Sequence, residues 1–245
     1  HESLIQKSGN DFWKKWNSKF EKNKSNVTHV GGITDKSVIA DNFAKHFEEI
    51  SKPANASRNA KLQSQYADMR TNYSGSPVHD SQTFDCELLS NLITNMKNGK
   101  AAGIDRLTSE HLKFSHPVLV SILCKLFNLF VAFSHIPSCF GSSYTVPIPK
   151  CDGRSRSLTV DDFRGISISP VISKLFELSV LDRFSIYFKT SDYQFGFKKN
   201  LSCRHVIFSV RNVIEHYVSN GSTVNVCTLD LSKAFDRMNH CALFI

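Results

Sequence analysis

Apolar and polar positions follow the helical period over most of the chain and switch to a two-residue period in a few short stretches. Residues 1–25 set Phe12, Trp13, Trp16 and Phe20 among lysines at the spacing of a basic amphipathic helix. Beyond Gly31 and Gly32, Thr34 or Asp35 can cap a helix whose apolar face is Val38, Ile39, Phe43 and Phe47. Residues 51–82 are polar and poor in β-branched side chains, which predicts a linker and a domain boundary near residue 80. Helical spacing resumes in FDCELLSNLITNM (84–96), stops in the loop KNGKAAGID and restarts in the short SEHLKF. The longest apolar run, VLVSILCKLFNLFVAF (118–133), is shorter than the roughly 18 residues of a spanning helix. Ser121, Lys125 and Asn128 share one of its faces, so it reads as a half-buried core helix, entered through Pro117 after a cap at Ser115. No membrane segment is predicted.

From residue 144 the pattern changes. YTVPIPK is extended, because Pro147 and Pro149 do not fit a helix interior. RSRSLTVDDF is a polar loop, and RGISIS alternates as a strand does. A helix from Pro170 to about Tyr187 is expected to bury Ile172, Leu175, Phe176, Leu178 and Leu181. SDYQFGFKKNLSC is a loop, RHVIFSVRNVIEHYVS an amphipathic helix, and NGS a turn into a final strand, TVNVCTLDL. SKAFDRMNH then turns into a further helix that Ser232 can cap. Helices interleaved with short strands, without an internal repeat, predict an α+β or α/β domain.

With 245 residues, 41% of them hydrophobic and 19 of them Phe, the chain can bury a core as one large domain or two small ones. The net charge is +8, and residues 97–200 carry 14 basic against 8 acidic side chains, which favours a polyanion such as nucleic acid. The 7 cysteines make no C-x-x-C pair and no zinc-finger spacing, so they read as free thiols in a reducing compartment. The N-terminal HESLIQKSGNDFWKKW has no apolar signal core. An intracellular location, nuclear or cytoplasmic, is expected rather than secretion, and the N-x-S/T matches carry no glycosylation reading.

Candidate chemistry concentrates in VNVCTLDLSKAFDRMNH (224–240), with Asp230 and Asp236 six residues apart. On a strand, Val224, Val226, Thr228 and Asp230 share one face, which sets Asp230 at the strand end, where it can face a cleft. A carboxylate there suits Mg2+, a hard cation that prefers oxygen ligands. Asp236 lies more than a helical turn further on, too far to share that ion, and reads as a helix-start carboxylate. Alone, two acids flanking a helix start would be ordinary. Their neighbours change the reading.

In chain order, VPIPK (146–150), DDFRGISISPVISKLFE (161–177), DYQFGFKKNLSC (192–203) and LDLSKAFDRMNH (229–240) resemble the reverse transcriptase domain of non-LTR retrotransposons. KNGKAAGIDRLTSEHL (97–112) resembles an additional N-terminal block of the same fingers region. The resemblance covers about residues 84–245 and rests on the ordered set rather than on any one block. It implies an α+β fold: an incomplete right-hand polymerase with helix-rich fingers (about 84–200) and the start of the palm (about 201–245). Residues 1–80, a helical and linker extension, resemble more loosely the segment between endonuclease and polymerase in such polyproteins.

The activity so implied is that of an RNA-directed DNA polymerase: nucleotidyl transfer assisted by two Mg2+ ions, with Mn2+ as a substitute, on an RNA template, a DNA primer and deoxynucleoside triphosphates. Asp230 matches the first palm aspartate, and the carbonyl of Leu231 would be a further metal ligand. Phe235 matches the aromatic wall that excludes a ribose 2′-hydroxyl, because a flat apolar face offers it no hydrogen bond. Lys150 and Arg164 match the fingers cations that close on the triphosphate, Arg through a planar fork and Lys as a point charge. Gln194, Phe195 and Gly196 match a loop near the template, with Lys198 and Lys199 as phosphate contacts. Lys174 and Glu177, three residues apart on one helix, read as a surface ion pair.

The second carboxylate block of that family, an aromatic-x-Asp-Asp hairpin, does not occur in the sequence, and VDDF at 160–163 belongs to the fingers loop. One aspartate does not hold two metal ions, so the 245-residue chain alone is expected not to polymerise. Its final strand is expected to lack partners and to present an apolar edge. A non-catalytic nucleic-acid-binding module using the basic fingers surface is the alternative. An interaction protein with accidental motifs ranks last, because four matches fall in one order.

Overall fold

A computed structural model describes residues 29–53, 55–75, 83–150, 158–231 and 233–245. The helix expected over residues 1–25, the first part of the loop at 154–163, and Ser232 lie outside the described residues.

Asp35 makes the first cap: its Oδ1 accepts the N–H groups of Ser37 (2.9 Å) and Val38 (3.0 Å) and so opens α1 (Lys36–Ile50). Asn55 opens α2 (Ala56–Asn72) by accepting the Arg58 N–H at 2.9 Å. This helix overturns the linker reading of 51–82 over its own span. Ala, Lys, Leu, Gln, Met and Arg are good helix formers. With no buried residue in α2, cap and propensity rather than burial set it up. Asp85 caps α3 (Cys86–Asn95) through the Leu88 N–H at 2.7 Å. A single turn, α4 (Ser109–Lys113), precedes α5 (Val118–Ala132). Ser115 does not cap α5; its hydroxyl donates back to the Leu112 carbonyl at 2.8 Å. The strands β1 (Tyr144–Pro149) and β2 (Phe163–Ile168) pair as a two-stranded sheet. Both prolines of β1 are tolerated because a two-stranded sheet is all edge. The helices α6 (Val171–Arg183), α7 (Cys203–Ser219) and α8 (His240–Phe244) complete a helix-rich α+β chain.

The chain divides into two compact units, one running to Lys52 and resuming over Thr145–Ile166, the other taking Pro53–Tyr144 and Ser167–Ile245. In the first, Phe43 of α1 meets Phe163 edge-on at 4.9 Å, with Val30 and Leu158 buried beside them. Gly165 lies against α1 so closely that a side chain there would meet the Phe47 ring at 3.0 Å.

The second unit holds the larger core, built from Leu89 and Ile93 of α3, Phe127 and Phe130 of α5, and Leu175 and Phe176 of α6. The Phe176 ring stands edge-on to Phe84, Phe127, Phe130 and Phe140, with centroids between 5.1 and 6.2 Å. Each such pair adds about 0.5–1.5 kcal/mol beyond the area it buries. Arg183 at the end of α6 reaches Asp85 at the start of α3 at 2.6 Å. The Leu88 N–H first, then Arg183, hold the Asp85 carboxyl below its ordinary pKa.

Three expectations are corrected in this unit. Asn128 does not face water: its Oδ1 accepts the Phe84 N–H at 2.7 Å and its Nδ2 donates to the Phe84 carbonyl at 2.8 Å. Beside the exposed Ser121 and Lys125, α5 also exposes apolar residues, including Ile122 and Leu129. On α6, Leu178 and Leu181 are 38% and 53% exposed, and the buried stripe is Val171, Ser173, Leu175, Phe176 and Ser179. Small serines let the helix approach its neighbours on that side, and both hydroxyls are satisfied, Ser173 by the Phe140 carbonyl and Ser179 by the Leu175 carbonyl. Finally, residues 222–231 form no strand, and 233–237 is a turn rather than a helix. A strand exists only against a neighbour's N–H and C=O groups, and among the described residues the β1–β2 ladder and a single Val30–Ile33 bridge are the pairings formed.

The chain after that turn is tied to α2, where Asn239 donates to Asn59 Oδ1 at 2.7 Å and Phe244 lies 6.1 Å from Tyr66. Among the described residues no helix is long and apolar enough to cross a membrane. Replacing Asn128 by Ala leaves the Phe84 N–H without its partner and the Phe84 carbonyl with only the Cys124 thiol at 3.1 Å. The expected loss is roughly 1–3 kcal/mol, read as a lower urea midpoint, while Lys125→Ala on the same helix leaves the midpoint near its original value.

Candidate functional site

The loop KNGKAAGID between α3 and α4 is held from α4 rather than by its own sequence. Glu110 Oε1 accepts the Gly99 N–H at 2.5 Å, and Ser109 Oγ donates to the Lys97 carbonyl at 2.8 Å. The Lys113 ammonium donates to the Met96 carbonyl and, at 2.8 Å, to Asn98 Oδ1. Further along, Gly103 is buried with its backbone against the start of α6. A Cβ on it would lie 2.8 Å from Pro170 N and Cα, closer than real Cβ contacts come. Turn and helix start are therefore fixed against each other. The Gly99 N–H, followed by its own backbone N–H and the Thr108 hydroxyl, lowers the Glu110 pKa from an ordinary 4.5 to about 2.

In the same unit, the loop at 191–200 is also bonded internally. The Lys198 ammonium donates to the Ser191 carbonyl at 2.6 Å and stands 4.0 Å from Asp192. Gln194 receives its backbone bond from the same turn, its N–H donating to Ser191 O at 3.0 Å, and its side chain donates to the Gly196 carbonyl at 3.3 Å. Phe195 is half-buried, Lys199 is exposed, and nothing lies within 4 Å of a side chain built at Gly196. Phe197 adopts left-handed backbone (φ +59), a conformation that costs a non-glycine residue about 1–2 kcal/mol. It stands edge-on to Phe235 at 5.7 Å. Both rings are largely exposed, at 91% and 69%. That contact brings the 191–200 loop and the segment after Asp230 together. Asp230 and Leu231 are exposed in the extended segment just before it, and Asp236 is exposed in the turn.

Lys150 and Arg164 belong to the other unit, at the end of β1 and within β2. The Lys150 N–H donates to the Asp162 carbonyl at 2.8 Å, and its ammonium donates to the Asp161 carbonyl at 2.6 Å. Arg164 is exposed.

As a Mg2+ site the residues present do not suffice. One exposed carboxylate and one carbonyl leave most of an octahedral shell to water, and among the described residues no group of three or more His, Cys, Asp or Glu side chains converges.

No protein-family model matches the chain. By sequence it is similar to RNA-directed DNA polymerases of non-LTR retrotransposons, so the resemblance carried by the ordered motifs is borne out. Among these relatives, the RNA-directed DNA polymerase from mobile element jockey of Drosophila funebris is 25% identical over 161 residues, which is 64% of this chain and 17% of that protein. Its Drosophila melanogaster counterpart is 26% identical over the same shares. The Retrovirus-related Pol polyprotein from type-2 retrotransposable element R2DM of Drosophila melanogaster is 26% identical over 132 residues, 54% of this chain and 12% of that one. The chain thus spans about 17% of the length of the first relatives it matches.

Glu110, Lys113 and Phe197 had no motif signal. Glu110 stands eleven residues beyond Gly99, and only the fold shows which N–H it meets; Phe197 is legible only as the second aromatic of QFGF. The lowered Glu110 pKa sets a pH dependence. The unfolded carboxyl protonates near 4.5 and the folded one near 2, so its contribution is complete above about pH 4.5 and is lost as pH falls through 2. Urea midpoints measured across that window should fall less steeply for Glu110→Gln than for the original chain, and the two should converge at the acid end.

Proposed function

We propose that the chain is part of an RNA-directed DNA polymerase of a non-LTR retrotransposon, contributing fingers and the start of the palm of a right-hand polymerase fold. The observation that carries this reading is the ordered motif set together with identity of about 25% to jockey polymerases over 161 residues. The contact of Phe197 with Phe235 supports it, since it joins the loop read as template-facing to the segment read as nucleotide-facing. In the complete protein, Asp230 and the Leu231 carbonyl would be metal ligands, Lys150 and Arg164 would neutralise the triphosphate, and Phe235 would reject ribonucleotides. Gln194, Phe195, Gly196 and Lys199 would lie along the template. Lys198 would serve the same surface by holding the loop, its ammonium being bonded within it.

The test compares two proteins. The 245-residue chain alone should incorporate no deoxynucleotide on a primed RNA template. A longer protein, read from the same gene through an aromatic-x-Asp-Asp block, should extend the primer, and Asp230→Ala should reduce that extension by about a hundredfold or more. In that longer protein Phe235→Ala should raise ribonucleotide incorporation relative to deoxynucleotide. Equal extension by the original and Asp230→Ala proteins sinks the polymerase reading.

The basic charge supports a second property of this chain taken alone, binding of RNA without chemistry. Such binding should weaken steeply with salt and survive Asp230→Ala.

A further inference from the structure

The excess of positive charge is unevenly committed. Lys113, Lys150 and Lys198 each donate to a backbone carbonyl and so serve the fold. Lys97, Lys100 and Lys174 do not: their ammonium groups have no hydrogen bond or ion pair to another described residue. The expected Lys174–Glu177 ion pair is not formed. All three lysines line one cleft of about 380 Å³ in the larger unit, between the 97–101 turn and α6, with Glu177 as its single carboxylate. Its floor includes Leu178 and Leu181, the two leucines that α6 leaves exposed against the pattern of its sequence.

We infer that this cleft is a nucleotide-binding subsite, taking one unpaired nucleotide of a single-stranded nucleic acid. The reading of the chain as part of a polymerase supplies the choice of nucleic acid; the cleft supplies the rest. Its volume lies at the lower end of the roughly 300–1,000 Å³ of small-molecule sites, the scale of a single nucleotide rather than a duplex. An anion entering it meets a lining with three lysines whose ammonium groups have no ion pair to break. Apolar lining, with Leu178 and Leu181 beside the lysines, suits a base stacked next to its own phosphate, a combination an acidic peptide does not offer.

The turn is also pre-organised. Glu110 pins Gly99, Ser109 pins the Lys97 carbonyl, and Gly103 is wedged on Pro170, so little backbone ordering remains to oppose binding. A second cavity of about 530 Å³, bordered by Ile136 and Phe140, contains no lysine and makes an internal control.

The experiment measures binding of a labelled oligouridine of about twelve nucleotides to the full chain between roughly 50 and 200 mM salt. Combining Lys97→Ala, Lys100→Ala and Lys174→Ala should weaken binding on the order of tenfold and reduce the salt slope by about 0.7, the share of the one phosphate of the bound nucleotide. The same three positions changed to Arg should restore the slope, which a merely unfolded variant would not do. Glu177→Gln should tighten binding at low salt. Leu178→Ala should weaken it with the slope unchanged, and Ile136→Ala should leave both as they were. An unchanged slope in the triple Ala variant overturns the subsite and leaves the polymerase reading standing. Competition by polyglutamate as strong as by unlabelled oligouridine overturns it too. Absence of RNA binding at every salt removes the subsite and the RNA-binding property together. A reduced slope in a gene whose frame lacks the second aspartate block keeps the subsite and removes the polymerase.

Discussion

Backbone meets backbone where Gly103 lies on Pro170, with no room for a side chain between them. The contact decides how the loop after α3 returns to the core, because any side chain there would lift the loop off α6. Once the loop is seated, α6 can offer Phe176 to four other rings and Ser173 to the Phe140 carbonyl. The same seating turns the opposite side of α6, with Lys174 and two leucines, toward the 97–101 turn. Core and cleft are two sides of one helix whose rotation is set by its smallest neighbours.

Local terms were legible in the sequence, and pairings between distant segments were not. Asp35 as a cap, the prolines of β1 and the apolar period of α3 are decided within a few residues, and each element formed where its pattern put it. Failures occurred where the partner lies elsewhere in the chain. The alternation at 223–231 fits a strand, but a strand needs a ladder and found none among the described residues. Asn128 reads as solvent-facing until Phe84, 44 residues away, is seen to use both its amide groups. The helix at 56–72 is hidden for a different reason: its polarity reads as a linker, although the side chains are helix formers.

The candidate site divides along the same line. Residue types and order were sufficient to point at a polymerase family, and the similarity to jockey proteins agrees with them. What order could not reveal was occupation. A lysine bonded to a carbonyl and a lysine with an unshared ammonium look identical in sequence, yet desolvating the first for a ligand costs a hydrogen bond while the second brings its donors unspent. The basic character of this chain is thus partly structural, as in Lys113, Lys150 and Lys198, and partly available to a ligand.

Helix α7 has 17 residues and buries none of them. Its cohesion comes from short-range terms: the Ser202 N–H donating to His205 Nδ1 at 3.0 Å, and Arg211 paired with Glu215 one turn on. An unsupported helix of this length is marginal in water. Its amide protons are therefore protected only by the helix–coil balance and not by global unfolding, so they exchange with solvent well ahead of those in α3, α5 and α6. The larger unit carries an unequal distribution of stability, firm around Phe176 and loose along one rod.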